Sequence, residues 1–477
     1  MRMINVFSRR LPVVLSGLLL LAAFAFLPIG KASAAIETLT VALYPYVPRL
    51  DQFEDAIKQA WGQVQPDVTL KFITDDKVWD GGYKKDPLPE WDVYVFDAMF
   101  FEYFKSKDWL ESLAASEVNN LSDFLPYAIE GVKVEDKYLA IPLLGCANIL
   151  FYQESDQALA YAKKLSQVQA ALSQCTYSSL IPPDRRGLML DLAGGTTNVT
   201  MYLDAAHSIT GVTPLPMPQN QSEIDKDAMA NVRSLLAMAS YWNGTADDLE
   251  PYERGTWFNE YGRGYIGFTE SMSAMSPEMR SEIGFRVMPM ANGDEPHMFY
   301  ADVIAVNPKT NNRGTRKLAV QLANVMAASD TVRASIGPDS SNEYPQYLMA
   351  ARPTVFNKLG EKFPIYNDML ALVQPDAIMF GLDEHVRDWL TSMKNTIRND
   401  VRADYPCGCD FPSAVRINSN AEAPAQCTPT CQNYGGWSGS WTNHPPAPGA
   451  RGSVCGCKSC PLPESFSAAD PTPRPNY

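Results

Sequence analysis

Apolar positions in this chain recur with two periods, and their alternation sets the order of its elements. Thr38 to Leu43 is a β-rich run halted by Tyr44-Pro-Tyr-Val-Pro48, where proline ends a strand. Phe53, Ile57, Ala60 and Trp61 recur at helical spacing. Val68–Ile73 and Val93–Phe96 are further short buried strands, the second ending at Asp97. Strand, helix and strand in succession predict an open parallel α/β sheet, which binds ligands at the carboxyl ends of its strands. Ile141 to Gln153 follows as one apolar strand, a turn at Gly145 and a second run from Ile149. Helical spacing returns over 157–173, 200–209 and 225–241, with a strand at 264–268 and a long apolar run at 298–306. Further helical stretches cover 316–327 and 385–397, and no internal repeat is visible.

The stretch 35–405 is too long for one compact core and divides into two lobes. Segments 138–149 and 298–306 cross between them. This predicts an α/β, bilobal type II periplasmic-binding-protein-like fold with the ligand cleft between the lobes. Lobe 1 is expected at about 35–145 and 302–405, and lobe 2 at about 146–301.

Both ends of the chain differ from this body. Arg2, Arg9 and Arg10, the apolar run Leu11 to Ile29 and Ala32-Ser-Ala34 read over 1–34 as a secretory signal peptide. A membrane anchor is the alternative, opposed by Pro12 and Pro28. Secretion is expected, with no membrane association after cleavage. Residues 406–477 hold 12 Pro, 7 Gly and 7 of the 9 Cys of the 477-residue chain and show no periodic apolar pattern. They read as an irregular, disulfide-stapled tail, with zinc binding the lesser option in an oxidising compartment. Seven is odd, so either Cys175 is the eighth partner or one tail thiol stays free.

Charge narrows the partners. Without its leader the chain loses four basic residues (Arg2, Arg9, Arg10, Lys31) and no acid, so the formal charge moves from -14 to -18. So acidic a body is a poor partner for nucleic acid and is compatible with a cationic small ligand. The four histidines, His207, His297, His385 and His444, show no metal spacing, and no metal or cofactor is expected. Sequons at Asn120, Asn198, Asn220 and Asn243 are glycosylation candidates. Ala193-Gly-Gly-Thr-Thr197 before a helix can cradle a phosphate or serve as a Thr N-cap.

The candidate chemistry lies on the crossings. Cys146 has no neighbouring cysteine and sits at the Gly-marked turn, placed as a nucleophile would be, exposed but rigidly held. A small buried hydrophobe is the other reading. Asp302 lies on the second crossing, and Glu270 falls just past the 264–268 strand, where a strand end faces the cleft. A thiol, one carboxylate able to deprotonate it and a second to bind or protonate a substrate make a covalent apparatus. Glu270 can equally be a helix N-terminal carboxylate favoured by the dipole.

These residues, with Ala42-Leu-Tyr-Pro-Tyr-Val-Pro48, Asp92-Val-Tyr-Val-Phe-Asp97, Leu125-Pro-Tyr-Ala128, Trp257-Phe258, Tyr265–Met272, Phe299–Asn307 and Tyr344–Arg352, resemble bacterial thiaminase I (thiamine pyridinylase) in order over about 37–400. The resemblance implies an enzyme that displaces the thiazole of thiamine by a small nucleophile through a Cys-pyrimidine intermediate. It puts Cys146 on the nucleophile and Glu270 on the base, with Tyr44, Tyr46, Tyr83, Asp97, Tyr252, Tyr300 and Asp302 at substrate-binding positions. Phe268 stands where the compared family sequence has Tyr, which removes one hydroxyl. Thiamine, its phosphates or pyrimidine analogues are the expected ligands of a monomer. A non-catalytic thiamine-binding protein needs neither Cys146 nor Glu270; a thiamine hydrolase would use the same site with water as acceptor.

Overall fold

The computed structural model describes residues 38–79, 83, 88–172, 187–190, 195–242, 255–256, 258, 262–403, 409–432, 436–442 and 453–457. Strands β1 (Thr38–Ala42), β2 (Thr69–Ile73) and β3 (Val93–Asp97) come first. Three two-residue strands, β4 (Leu113–Ala114), β5 (Lys133–Val134) and β6 (Lys137–Tyr138), make a small sheet of their own. Then come β7 (Ile141–Cys146), β8 (Ile149–Gln153), β9 (Leu188–Leu190), β10 (Ala239–Trp242), β11 (Gly264–Gly267) and β12 (Ile283–Val287). The body closes with β13 (Met298–Val306), β14 (Met349–Ala350) and β15 (Ile378–Met379).

These strands sort into two sheets, one per lobe. The first has the order β14-β7-β13-β3-β1-β2, with β15 also on β13, and the second has the order β10-β9-β11-β8-β12. Val41, Val93, Val95, Phe96, Ile304 and Ala305 are fully buried, as expected of strands covered on both faces. Helix Leu50–Val64 covers one face with Phe53, Ala56, Ile57 and Trp61, a stripe at helical spacing. The chain leaves the first sheet at Cys146, enters the second at Ile149, and returns between Val287 and Met298. The first crossing falls within its expected segment, whereas the second precedes the 298–306 run, which is β13 of the first sheet.

Several elements depart from the apolar pattern. The helix of 226–238 ends at Met238, and Ala239–Trp242 pairs as a strand with β9. The last long helix, Val386–Ala403, packs on helices Gly195–Thr210 and Lys226–Met238 of the second lobe. There Arg233 donates to the Asp400 carboxylate at 2.7 Å, and Trp389 Nε1 donates to Pro218 O at 2.6 Å. Asn198 is fully buried within its helix, so the folded protein does not offer that sequon. The helix starts at Gly195, which puts Thr196 and Thr197 inside its first turn.

The cysteine-rich segment holds more regular structure than its composition suggests. Helix Ala423–Thr430 packs on a three-stranded sheet, β16 (Cys409–Pro412), β18 (Val454–Cys457) and β17 (Trp437–Thr442) in that order. Disulfides Cys427–Cys455 and Cys431–Cys457 join helix to central strand. The four half-cystines, with Ile417 and Ala423, are its buried core. Sulfur here takes the place of the periodic apolar residues that the segment lacks. Cys175, Cys407 and Cys460 lie outside the described residues, and with them the question of an eighth partner.

Candidate functional site

Strand register brings the candidate residues together. In the first sheet Tyr300 pairs with Cys146, and Asp302 pairs with Leu144 on one side and Asp97 on the other. Side chains directly opposite one another share a face, and so do alternate residues along a strand. Cys146, Tyr300, Asp302 and Asp97 therefore project from one face at one end of three adjacent strands. Pro142, unable to donate to a ladder, sits at a bulge where the pairing skips Leu143.

The second sheet supplies Glu270 by the same logic. Gly267, the last residue of β11, pairs with Ile149, the first of β8 and three positions after Cys146. The chain then turns through Phe268 into the short helix Thr269–Ala274, which carries Glu270. Phe268 meets the Tyr300 ring edge-on at 6.2 Å. The Glu270 side chain is 8 % exposed, and its Oε2 has no hydrogen-bond partner among the described residues.

Electrostatically the site is, among the described residues, a cluster of acids without a paired cation. Desolvation lifts the Glu270 carboxyl to about 7. Asp97 rises to about 6 for the same reason, against the opposing pull of the Met99 N–H that its Oδ1 accepts at 2.8 Å. Asp302 is raised well above the carboxylate range, by desolvation first and then by the charges of Asp97 and Glu270. The Cys146 thiol is pushed up by desolvation, then by Glu270, Asp302 and Asp97. Asp92, at the other end of the same strand as Asp97, shows the contrast. Its carboxylate accepts from Arg313 (2.9 Å), Thr315 (2.8 Å) and the Thr40 N–H (2.9 Å). A structural carboxylate is neutralised there; at the opposite end three are left facing one another, an arrangement typical of functional sites.

Tyr44 stands within this field, its phenol raised by desolvation and then by Asp302, Asp97, Cys146 and Glu270. Its ring meets Tyr46 at 5.5 Å and Trp79 at 4.9 Å, both edge-on, which extends an aromatic wall from the Tyr44–Pro48 loop. Tyr83, on a backbone of φ 58°, lies behind that wall, and its hydroxyl donates to Val95 O at 2.7 Å. Tyr252 lies outside the described residues. Cys146 is part-exposed and is the free cysteine among the described residues.

Three partners went unnoticed in the sequence. Asn148, two residues past Cys146, donates Nδ2 to the buried Asp204 carboxylate at 2.9 Å and lies 3.3 Å from the Tyr300 hydroxyl. Asp204, lifted to about 7 by desolvation, thus ties the second lobe to both crossings. Tyr127 sits against Gly145, where any Cβ would meet its hydroxyl at 2.1 Å, so the residue before Cys146 has to be glycine. Asn148 and Tyr127 carried a signal, their places inside the Ile141–Gln153 and Leu125–Ala128 segments, and Asp204 carried none. Surface grooves of about 680 and 870 Å³ are lined by neither Cys146 nor the three carboxylates.

Comparison with known proteins gives the family and the fold. The family described as Thiaminase-1 domain matches residues 147–291. Thiaminase-1 of Paenibacillus thiaminolyticus is 33% identical over 365 residues, 76% of this chain and 87% of that protein. The structure of Clostridium botulinum thiaminase I in complex with thiamin superposes with a TM-score of 0.70 at 32% identity, over 76% of this chain and 100% of that one. Maltose-bound MalE3 of T. maritima, at 13% identity and a TM-score of 0.57 over 77% of this chain and 95% of that one, shares the bilobal fold alone.

Proposed function

Because this chain belongs to the thiaminase I family, we propose that it is a secreted enzyme that degrades thiamine by exchanging its thiazole for a small external nucleophile. The convergence of one thiol and three carboxyls, with no cation paired to any of them among the described residues, is the observation that supports this reading. Thiamine carries a cationic thiazolium joined by a methylene to an aminopyrimidine. A cation entering the cluster offsets the mutual repulsion of the acids, as the geometry favours.

The steps follow from the groups in place. Glu270, poised near neutrality, takes the Cys146 proton as the sulfur bonds to the pyrimidine ring, because a thiol raised this far has almost no free thiolate. Asp302, whose carboxyl burial and its acidic neighbours favour in the protonated form, gives a proton to the ring nitrogen that gains the electron pair. Asp97, lower on the scale, accepts a hydrogen bond from the exocyclic amine, and Tyr44 and Tyr46 flank the ring. The bond from the methylene to the thiazole nitrogen then breaks, its electrons leave with the thiazole, and the thiazole departs neutral. An amine, pyridine or thiol bonds to the methylene, and expulsion of the Cys146 sulfur restores the aromatic ring.

Incubation with thiamine and an aromatic amine, followed by mass spectrometry, tests this. Free thiazole and an amine-pyrimidine adduct are expected. Intact thiamine after prolonged incubation overturns the reading in favour of a binding protein, and a hydroxymethyl pyrimidine alone makes water the acceptor.

A further inference from the structure

The proposed chemistry needs Glu270, carried by the second sheet, to stay beside Cys146 at the edge of the first. Side chains across the cleft hold the Glu270 turn. Ser273 donates its hydroxyl to Gln346 O at 2.8 Å. Arg280, on the helix Pro277–Glu282, donates Nη1 to the carbonyls of Met272 and Met275. Its guanidinium lies over the Tyr344 ring at 4.4 Å and the Tyr347 ring at 5.6 Å. Ser273 and Arg280 belong to the second lobe; Tyr344, Gln346 and Tyr347 belong to the first.

The receiving segment is itself held firmly. Gln346 is fully buried, its amide donating to Ser335 O at 2.6 Å and accepting the Arg49 N–H at 2.7 Å. Arg49 also donates to Tyr344 O at 3.2 Å. Arg49 directly follows the Tyr44–Pro48 loop, so one buried amide anchors both the aromatic wall and the landing site of the Glu270 turn. Tyr347 holds φ 58° and stacks on Tyr366 at 6.4 Å, a conformation that a side chain adopts only where its surroundings fix it.

We propose that Arg280, with Tyr344 as its counterpart, is a positioning residue: a clasp that closes the second lobe on the 344–347 segment and sets the distance between Glu270 and Cys146. This rests on the thiaminase reading of the site. Arginine suits the task because its planar cation stacks on a ring while its N–H groups reach carbonyls, which a lysine cannot do together. Released from the clasp, the Thr269–Ala274 turn carries Glu270 away from the thiol and opens Cys146 to solvent.

Arg280→Gln, Tyr344→Ala and the double variant test this in the full chain. Thiamine exchange with aniline, alkylation of Cys146 by iodoacetamide across pH, and thermal melting are measured for each. Both single variants should lose about 5–30-fold in kcat. Cys146 should alkylate several-fold faster, with its midpoint moved to lower pH. The charged or titratable groups around that thiol are Glu270, Asp302, Asp97, Tyr44, Tyr127 and Tyr300, and Glu270 is the one the clasp holds. The double variant should be no worse than either single, since the two act as one contact. Arg280→Lys should recover part of the rate. Unchanged kcat and alkylation, or losses that multiply and track a lowered melting point, overturn the clasp. Alkylation does not require thiamine as substrate. If wild type leaves thiamine intact yet Arg280→Gln accelerates alkylation, the function reading fails and the clasp stands.

Discussion

Replacing Glu270 by Gln should produce a slower and more stable protein, a pairing that separates a general base from a structural carboxylate. Gln keeps the size of the side chain and removes proton acceptance, so the exchange rate should fall by roughly 10²–10⁴ while thiamine binding stays within a few-fold. The stability change follows from the raised carboxyl. Its pKa moves from an ordinary 4.5 to about 7 on folding, which at pH well above 7 corresponds to about 3 kcal/mol of destabilisation in the wild type. The folded form holds the proton more tightly, so stability is full below pH 4.5, falls as pH rises toward 7 and is flat beyond. The Gln variant lacks that decline. Its melting point should match wild type at pH 4 and exceed it by about 3 °C at pH 8, using the per-residue entropy of unfolding for this length. The rate deficit should narrow as pH approaches the thiol's own pKa, because solvent then supplies the thiolate. Melting curves from pH 4 to 8 beside a rate profile make the measurement. Normal turnover with a lowered melting point would refute the base and return Glu270 to the helix-dipole role.

Other outcomes follow from the same geometry. Cys146→Ser should lose turnover by several orders of magnitude yet still bind thiamine in calorimetry, since a hydroxyl is far less ionised. Binding of thiamine near pH 7 should release protons from Asp97 and Glu270, whose carboxyls sit at about 6 and about 7; calorimetry in buffers of different ionisation heat counts them, and zero release contradicts a cation held against these acids. Phe268→Tyr should change KM more than kcat, because its ring faces Tyr300 rather than the thiol. Truncation after about residue 405 should leave exchange largely intact, and loss of both folding and turnover would make the tail structural.

Strands were legible wherever apolar residues run together, as in Val93–Phe96 and Met298–Val306, and so was the first crossing; the second lies just before the apolar run expected to form it. Short β9 and β10 were not, because three or four residues carry no period and the helical spacing of 225–241 runs on through Tyr241. The destination of helix Val386–Ala403 was hidden for another reason: amphipathic spacing says that one face is covered, not which lobe covers it. In the site, Cys146 and Asp97 could be located because they end strands, and Asp302 because it lies within the long apolar run of 298–306. Tyr83 shows the limit, since its hydroxyl serves a strand carbonyl and no sequence feature separates that use from ligand binding. Asp204 sits among polar and apolar neighbours in a helix, and nothing in that local pattern reveals its burial or its bond to Asn148 on the first crossing. The tail hid its sheet because half-cystines, not periodic hydrophobes, fill its core.

The acids around Cys146 also govern which molecules can oxidise it. Tail disulfides form where thiols are readily oxidised, and the same surroundings would convert an exposed reactive cysteine into a mixed disulfide. Exchange runs through the thiolate, which the raised Cys146 pKa keeps scarce, and glutathione brings a net negative charge toward three carboxyl groups. Both effects would slow capping of the sulfur while favouring a cation such as the proposed substrate. On the proposed chemistry, the carboxyl cluster would serve as a redox shield as well as a proton store, keeping the Cys146 thiol free beside a tail built on disulfides.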